Sequence, residues 1–371
     1  VDRAIEAEAI TGAVTLVARR GKVAHFEAHG LMNLESMREM ETDTIFQIGS
    51  MTKPVAGVAF LLLLEEGRVR LSDPVKRFIP EFEETQVAVA RSGSDDDSDI
   101  YLVPSQRDVT VRDLLTHTSG LVSGGVASRV ASRIAPRHSD DTLETYAADL
   151  GGVPLDFQPG TQWSYSGLAG IDTVARVVEV VAGVPFDEFL RERIFDPLGM
   201  HDTSYIVPSE KLSRVVTRYV RTESGLEERE KPSWVDTVTL TAGGGGLWST
   251  AGDYAKFAQM LVNQGELNGQ RILGRKTVEL MAANHVDDLY ENSGRVGGRP
   301  GRGFGLTVDL VLDAVVAQDN RSTGSFGWTG ALGTAFWVDP KEEMTAVLMV
   351  QTPGGTLRAD FQNAVRQAII D

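Results

Sequence analysis

Residues 46–67 read FQIGSMTKPVAGVAFLLLLEEG, and the arrangement of the rest of the chain depends on this stretch. Its second half is apolar on nearly every side and ends at Gly67, which predicts a helix over Met51–Glu66. A helix without a polar face belongs in the middle of a protein rather than on its surface. Ser50 and Lys53 lie at the start of this predicted buried helix.

Ser50 and Lys53 are three positions apart, so on a helix their side chains share a face and come within hydrogen-bond reach. A serine hydroxyl is an effective nucleophile only when a base takes its proton. A lysine does so when it is neutral, and both burial and a helix N-terminus disfavour its charged form. The alternative interpretation makes Ser50 a helix cap and Lys53 a side chain that reaches solvent. The spacing alone does not decide between them.

The bulk composition excludes several classes of function. The 371 residues are enough for two or three domains, and the formal net charge of −16 argues against binding nucleic acid or an anionic membrane surface. The chain has no cysteine, which excludes disulfides, thiolate nucleophiles and cysteine-bound metals. The six histidines are scattered, so we predict no metal site. The longest apolar run is too short for a membrane span, and we expect a cytoplasmic protein.

The distribution of patterns along the chain predicts two domains. Strand-like alternating and apolar segments occupy both ends of the sequence, whereas the middle reads as helices. We therefore predict a discontinuous sheet-containing domain, 1–75 and 235–371, and a mostly helical domain inserted at 76–234. A ligand site is expected in the crevice between two such domains.

Two further segments carry residues that a serine nucleophile needs, namely a second proton handler and a site for the oxyanion. Trp163-Ser-Tyr165-Ser-Gly167 stands just before a predicted helix and places a tyrosine in a turn. Gly327-Trp328-Thr-Gly330-Ala331 lies on a predicted strand and offers small residues where backbone can approach a substrate. The alternatives are that Tyr165 is a packed aromatic and Trp328 a core residue beside a bulge.

Five segments of the sequence, taken in order, resemble the penicillin-recognising serine enzymes. They are IFQIGSMTKP, DLLTHTSGL, PGTQWSYSGLAG, GGGGLWST and GWTGALGTAFWVDP. Within that group the sequence is similar to the class C β-lactamase-related branch, and most similar to the family VIII carboxylesterases. The resemblance extends over roughly residues 5–365. The resemblance implies an α+β fold of the β-lactamase/transpeptidase type. In that fold an antiparallel sheet is flanked by helices and carries an inserted, mostly helical domain.

The resemblance also implies roles for individual residues. Ser50 is expected to be the acylated nucleophile, Lys53 its base and Tyr165 the shuttle that carries protons to the leaving group. The backbone N–H groups of Ser50 and Ala331 are expected to form the oxyanion hole. No cofactor is implied.

The chain departs from the lactamase pattern in two places. Trp328 stands where lactamases and D-peptidases usually have a lysine or histidine, and Gly167 stands where the family often has an asparagine. Trp328 offers an apolar wall to the substrate, and Gly330 stands two residues further along that strand. Tyr101 is predicted to line the acyl pocket. These departures favour uncharged esters over β-lactams as substrates.

We therefore expect a serine carboxylesterase that cleaves small-molecule, short-chain esters. The alternatives are a β-lactamase, a D-amino-acid peptidase or an acyltransferase that uses the same intermediate, and, from another class, a non-catalytic binding module. His117 is predicted to be structural, and the glycine tract Gly243–Gly246 to be a flexible turn rather than a phosphate-binding loop.

Overall fold

The computed structural model describes residues 1–91, 100–229, 238–294, 298–352 and 355–370. The predicted domain boundary between residues 234 and 235 lies outside these ranges. The described strands are β1 Gly12–Arg19, β2 Lys22–Asn33, β3 Arg38–Glu39, β4 Phe46–Gln47, β5 Gln86–Ala90, β6 Ile100–Pro104, β7 Tyr219–Thr222, β8 Gly225–Glu228, β9 Trp248–Ser249, β10 Glu266–Leu267, β11 Gln270–Arg271, β12 Arg302–Phe304, β13 Asp309–Val311, β14 Phe326–Thr329, β15 Ala335–Asp339 and β16 Met344–Val350.

The described α-helices are α1 Asp2–Glu6, α2 Thr52–Glu65, α3 Val111–Leu115, α4 Val126–Ile134, α5 Leu143–Gly151, α6 Ala169–Ala182, α7 Phe186–Leu190, α8 Asp196–Leu198, α9 Ala251–Val262, α10 Arg275–Met281 and α11 Leu357–Gln367. A π-helical turn, Arg191–Phe195, joins α7 to α8. No helix within the described ranges is both long enough and apolar enough to cross a membrane.

An eight-stranded antiparallel sheet forms the frame, in the order β12-β13-β14-β15-β16-β1-β2-β3. The N-terminal strand β1 pairs with the C-terminal strand β16, from Ala13 opposite Val350 to Arg19 opposite Met344. The prediction of an antiparallel sheet built from both ends of the chain is therefore confirmed.

Helices cover both faces of this sheet, and two neighbouring residues of β15 contact helices on opposite faces. Side chains of a strand point alternately to opposite faces. Phe336 meets Tyr254 of α9 on one face, with 5.0 Å between the ring centroids, and Trp337 meets Phe361 of α11 on the other, at 5.5 Å. Every residue of β16 is buried, which explains its continuous apolar run MTAVLMV.

The buried helix predicted at Met51–Glu66 is present as α2, preceded by a 3₁₀ turn over Gly49–Met51. All residues from Thr52 to Leu63 are buried, and α2 packs against α6 and α7. The middle of the chain is helical as predicted, but it also contains two small sheets, β5 with β6 and β7 with β8. These strands are short and partly exposed, so they leave little apolar alternation in the sequence.

Gly57 sets how closely α2 approaches the rest of the core. A Cβ atom at this position would lie 2.5 Å from Thr307 Oγ1 and 3.3 Å from Thr307 Cγ2, and both atoms are buried. We expect Gly57→Ala to lower the free energy of unfolding by about 1–3 kcal/mol through overpacking, although alanine is the better helix former. Chemical denaturation measures the change.

Gly152→Ala is the matched control, because its new Cβ would meet its nearest neighbours at ordinary distances of 3.5 and 3.8 Å. If the Gly57→Ala protein is as stable as the Gly152→Ala protein, the close approach of α2 to Thr307 is not a constraint on the fold.

Candidate active site

Ser50 lies in the 3₁₀ turn between β4 and α2, and the backbone before it is tied to the rest of the protein. Strand β4 pairs with β9. The backbone N–H of Gln47 donates to Gln351 Oε1 at 3.0 Å, and Gln351 Nε2 donates back to the Gln47 carbonyl at 3.1 Å. Gln351 directly follows β16, so these bonds hold the turn that carries Ser50 against the central sheet.

The structure brings Ser50, Lys53 and Tyr165 together around one oxygen. Ser50 Oγ lies 3.1 Å from Lys53 Nζ, and the Tyr165 hydroxyl donates to it at 2.9 Å. The alternative interpretation of GSMTKP is wrong in both parts. Helix α2 has no side-chain cap, and Lys53 is fully buried rather than reaching solvent.

Lys53 Nζ also donates to the carbonyl oxygens of Gly167 and Gly244, each at 2.6 Å. Two of the directions around this nitrogen are therefore occupied by backbone, and the remaining one faces Ser50 Oγ. Held in this way, Lys53 Nζ is fixed within hydrogen-bond distance of the serine hydroxyl.

Asp172 of α6 holds Gly244, whose carbonyl contacts Lys53, through a hydrogen bond with the Gly244 backbone. Its Oδ1 accepts the Gly244 N–H at 2.8 Å, and its Oδ2 accepts Arg137 Nη2 at 2.6 Å. Burial raises the pKa of Asp172, while the charge of Arg137, the Gly244 N–H and Lys53 act in the opposite direction. Asp172 and Arg137 were not predicted from the sequence. The available signal was one acidic residue on the buried face of the apolar helix GIDTVARVV.

Aromatic rings pack around Tyr165. The ring centroids of His117 and Trp328 lie 4.8 and 5.5 Å from that of Tyr165. His117 Nδ1 accepts the Ser166 N–H at 3.3 Å. Complete burial, together with the nearby charge of Lys53, holds the pKa of His117 well below its usual value. His117 therefore packs as a neutral ring under Tyr165, and within the described residues it forms no hydrogen bond to Ser50.

The backbone around Ala331 approaches the turn that carries Ser50. A Cβ on Gly330 would collide with the Ile48 carbonyl oxygen, so only glycine lets the end of β14 come this close. Thr334 Oγ1 donates to the same Ile48 carbonyl at 3.0 Å. Neither the Ser50 N–H nor the Ala331 N–H donates to another described residue. Both are available to an oxygen bound beside Ser50.

A cavity of about 790 Å³ opens onto Ser50. Its wall includes apolar side chains such as Leu168 and Leu240 and the cationic side chains of Arg137 and Arg218. The described lining residues are Gln47, Gly49, Ser50, Arg137, His138, Ser139, Leu168, Tyr205, Arg218, Val238, Thr239, Leu240, Ala242, Gly244, Gly245, Gly246, Ala331 and Leu332. The turn predicted at Gly243–Gly246 is present, and the structure adds that Gly243–Gly245 are buried and that the Gly244 carbonyl contacts Lys53.

None of the three residues predicted to contact substrate, Trp328, Gly330 and Tyr101, is among the described residues that line this cavity. Trp328 is 5% exposed and packs between Tyr165 and Phe304, with its ring 5.3 Å from that of Phe304. Tyr101 is 44% exposed on β6, with the Arg91 guanidinium 5.9 Å from its ring. Their contact with a substrate stays a prediction.

Comparison with known proteins gives consistent similarities. The family model described as "Beta-lactamase" matches residues 1–369. Protein Rv1367c of Mycobacterium tuberculosis (strain ATCC 25618 / H37Rv) is 33% identical over 363 residues, which cover 93% of this chain and 87% of that protein. Esterase EstB of Burkholderia gladioli is 28% identical over 395 residues, covering 99% and 93%. A solved structure, "EstCE1, a hydrolase with promiscuous acyltransferase activity", superposes with a TM-score of 0.83 at 25% identity, covering 98% of this chain and 96% of that one.

The lowered pKa of His117 makes stability depend on pH in a defined direction. The unfolded chain binds a proton at this histidine below about pH 6.5, whereas the folded protein does so only at lower pH. Stability from this group is therefore lost as the pH falls from about 6.5 toward the folded pKa. We expect His117→Gln, which does not titrate, to show a shallower loss of unfolding free energy between pH 7 and pH 5 than the wild type.

The measurement is denaturant unfolding at several pH values, and it compares slopes because removing a buried ring lowers stability at every pH. His201→Gln, at an exposed histidine, is the control and should keep the wild-type slope. Equal slopes for wild type and His117→Gln would mean that His117 is not held neutral by the fold.

Proposed function

This chain belongs to the beta-lactamase family of serine hydrolases, and from that premise we propose that it hydrolyses short-chain carboxylic esters through an acyl-enzyme on Ser50. The observation that carries the proposal is the position of Ser50 Oγ, within hydrogen-bond distance of both Lys53 Nζ and the Tyr165 hydroxyl. A nucleophile, a base and a second proton carrier then share one reacting centre.

In the first half of the proposed reaction, Ser50 Oγ attacks the ester carbonyl carbon while its proton passes to Lys53 Nζ. The Gly167 and Gly244 carbonyls hold the Lys53 nitrogen within hydrogen-bond distance of the serine hydroxyl. Negative charge develops on the former carbonyl oxygen. The N–H groups of Ser50 and Ala331 stabilise it, since they are fixed by backbone and need no rearrangement.

Collapse of the tetrahedral intermediate breaks the bond to the alkoxide leaving group. Tyr165 gives its proton to that oxygen and recovers one from Lys53, so an alcohol leaves and the acyl-enzyme remains. Water then attacks the acyl carbon and gives its proton to the Tyr165–Lys53 pair. Ser50 leaves as the alkoxide, takes a proton back from Lys53, and the carboxylic acid is released.

Three observations support an ester over a β-lactam as the substrate. Gly167 has no side chain with which to grip an amide, and Trp328 stands where lactamases usually have the lysine or histidine that meets the substrate carboxylate. The cavity has apolar wall residues, Leu168, Val238 and Leu240, that suit a short acyl chain. The similarity to Esterase EstB agrees with this choice. A β-lactamase or D-amino-acid peptidase would use the same Ser50 intermediate.

Acyl transfer is the second candidate function, supported by the similarity to EstCE1, whose description includes promiscuous acyltransferase activity. In this reaction an alcohol replaces water in the second half. The cavity, at about 790 Å³, lies within the size range of small-molecule sites. Adding an alcohol acceptor to the assay below distinguishes the two, since transfer yields a new ester in place of part of the acid.

The first test of the proposed function is hydrolysis of p-nitrophenyl butyrate by the wild type and by Ser50→Ala, with nitrocefin assayed in parallel. We expect ester turnover by the wild type, none above background by Ser50→Ala, and a butyryl adduct on Ser50 by mass spectrometry. Ser209→Ala, at an exposed serine, is the control and should keep full activity. Nitrocefin turnover without ester turnover would replace the esterase by a lactamase, and ester turnover by Ser50→Ala would remove Ser50 from the mechanism.

The second test addresses the base. Lys53→Met keeps the length of the side chain and removes its nitrogen, so we expect kcat to fall about 10²–10⁴-fold, the usual contribution of a general base. Lys256→Met, at a lysine paired with Asp253 on α9, is the control. Circular dichroism of both variants verifies folding. Wild-type kcat in a folded Lys53→Met protein would show that another group takes the serine proton.

A further inference from the structure

Strand β2 collects three potential metal ligands on one face. His25, Glu27 and His29 alternate along the strand, and residues two apart in a strand point the same way. One ligand atom from each of the three lies within 4.8 Å of the others. The six histidines look scattered in the sequence, but the period of a strand brings two of them together with a carboxylate between them.

Each imidazole has one nitrogen engaged by an outer partner. His29 Nδ1 lies 3.1 Å from Asp2 Oδ1, and His25 Nε2 lies 2.7 Å from Thr15 Oγ1. When these nitrogens donate to Asp2 and Thr15, the other nitrogen of each neutral ring carries a lone pair. A carboxylate or hydroxyl behind the ring is the usual way in which proteins fix the tautomer of a metal-bound histidine.

The remaining nitrogens both face Glu27. His25 Nδ1 lies 3.7 Å from Glu27 Oε1, and His29 Nε2 lies 3.6 Å from Glu27 Oε2. Both distances exceed a hydrogen bond, which would be about 2.7–3.2 Å. They are close to the separation of about 3.3–3.6 Å between ligand atoms around a tetrahedral ion with metal–ligand distances of about 2.0–2.2 Å.

His29 Nε2 adds an independent observation. It is among the buried side-chain nitrogens that have no hydrogen-bond partner within the described residues. A buried polar atom without a protein partner is costly, and an ordered water or a bound ion is a common way to satisfy it. The distance of 3.6 Å between His29 Nε2 and Glu27 Oε2 lets the two atoms occupy adjacent positions around one ion.

We propose that His25, Glu27 and His29 form a binding site for a divalent transition-metal ion, with Zn²⁺ as the best match. Two imidazoles and one carboxylate are donors that suit Zn²⁺ and its neighbours, whereas Mg²⁺ and Ca²⁺ prefer sites made of oxygen ligands alone. Glu27 is 61% exposed, so a fourth position is open to water.

The proposed metal site is separate from the site around Ser50. In the central sheet β2 lies four strands from β14, which is about 19 Å at the usual spacing between strands. Because Asp2 belongs to α1, an ion held by His29 would also tie α1 to the sheet. The expected consequence is thermal stabilisation of the folded chain rather than participation in ester cleavage.

The test is a titration of metal-stripped protein with Zn²⁺ in competition with a chromophoric chelator. We expect one equivalent of Zn²⁺ to bind the wild type and to raise its melting temperature. His25→Ala, Glu27→Gln and His29→Ala should each lower the affinity at least tenfold, and Asp2→Ala about 10–100-fold. His201→Ala, which removes an exposed histidine elsewhere, should bind like the wild type.

Three outcomes would overturn the proposal: no stoichiometric Zn²⁺ binding by the wild type, equal binding by the ligand variants and His201→Ala, or displacement of Zn²⁺ by an equal concentration of Mg²⁺. The last would indicate general attraction to an acidic protein. Glu27→Gln keeps the shape of an exposed side chain, so it decides the result if a histidine variant fails to fold. Ester hydrolysis serves as the folding control and should be the same with and without Zn²⁺.

Discussion

Full burial of the Lys53 amine is the constraint on which the arrangement around Ser50 depends. A buried amine needs acceptors, because water no longer supplies them. Two backbone carbonyls meet this need, and they come from distant parts of the chain: Gly167 precedes α6 and Gly244 precedes β9. Both segments must therefore converge on the first turn of α2 before Lys53 can be accommodated in the fold.

The Gly244 carbonyl that accepts from Lys53 is itself held in place by a pair of charged residues. The Gly244 segment is held by Asp172, a buried carboxylate, and a buried carboxylate in turn needs a counterion, which is Arg137 at the cavity wall. The result is a continuous chain of contacts from the cavity surface to the Lys53 nitrogen. The contacts that fix the position of the Lys53 nitrogen thus extend to groups that do not contact Ser50 Oγ.

The central sheet provides the rigid side of the same arrangement. Gln351 anchors Gln47 just before Ser50, and Gly330 lets the end of β14 reach Ile48, so the turn with Ser50 is held at both sides by the sheet. The His25, Glu27 and His29 cluster uses the sheet in a different way, since the pleat alone puts three side chains on one face. In both places a carboxylate orients a functional group by a hydrogen bond from outside the site. Asp172 holds Gly244, whose carbonyl contacts Lys53, and Asp2 holds the imidazole of His29.

The sequence alone determined the features that depend on local spacing. The apolar run after Ser50 predicted α2 to within a residue at each end, and the three-residue spacing put Ser50 within reach of Lys53. The strand-like segments predicted a sheet built from both ends of the chain, and the resemblance carried by the ordered motifs predicted that this sheet is antiparallel. Only the tertiary structure decided the features that depend on separated segments. It showed that the Gly244 carbonyl contacts Lys53 and that Asp172, paired with Arg137, holds Gly244 in place. It packed the side chain of Trp328 against Tyr165, away from the cavity wall. It also brought two histidines close to Glu27. Backbone carbonyls leave no mark in a sequence, and a contact between residues 72 or 191 positions apart has no local periodicity to reveal it.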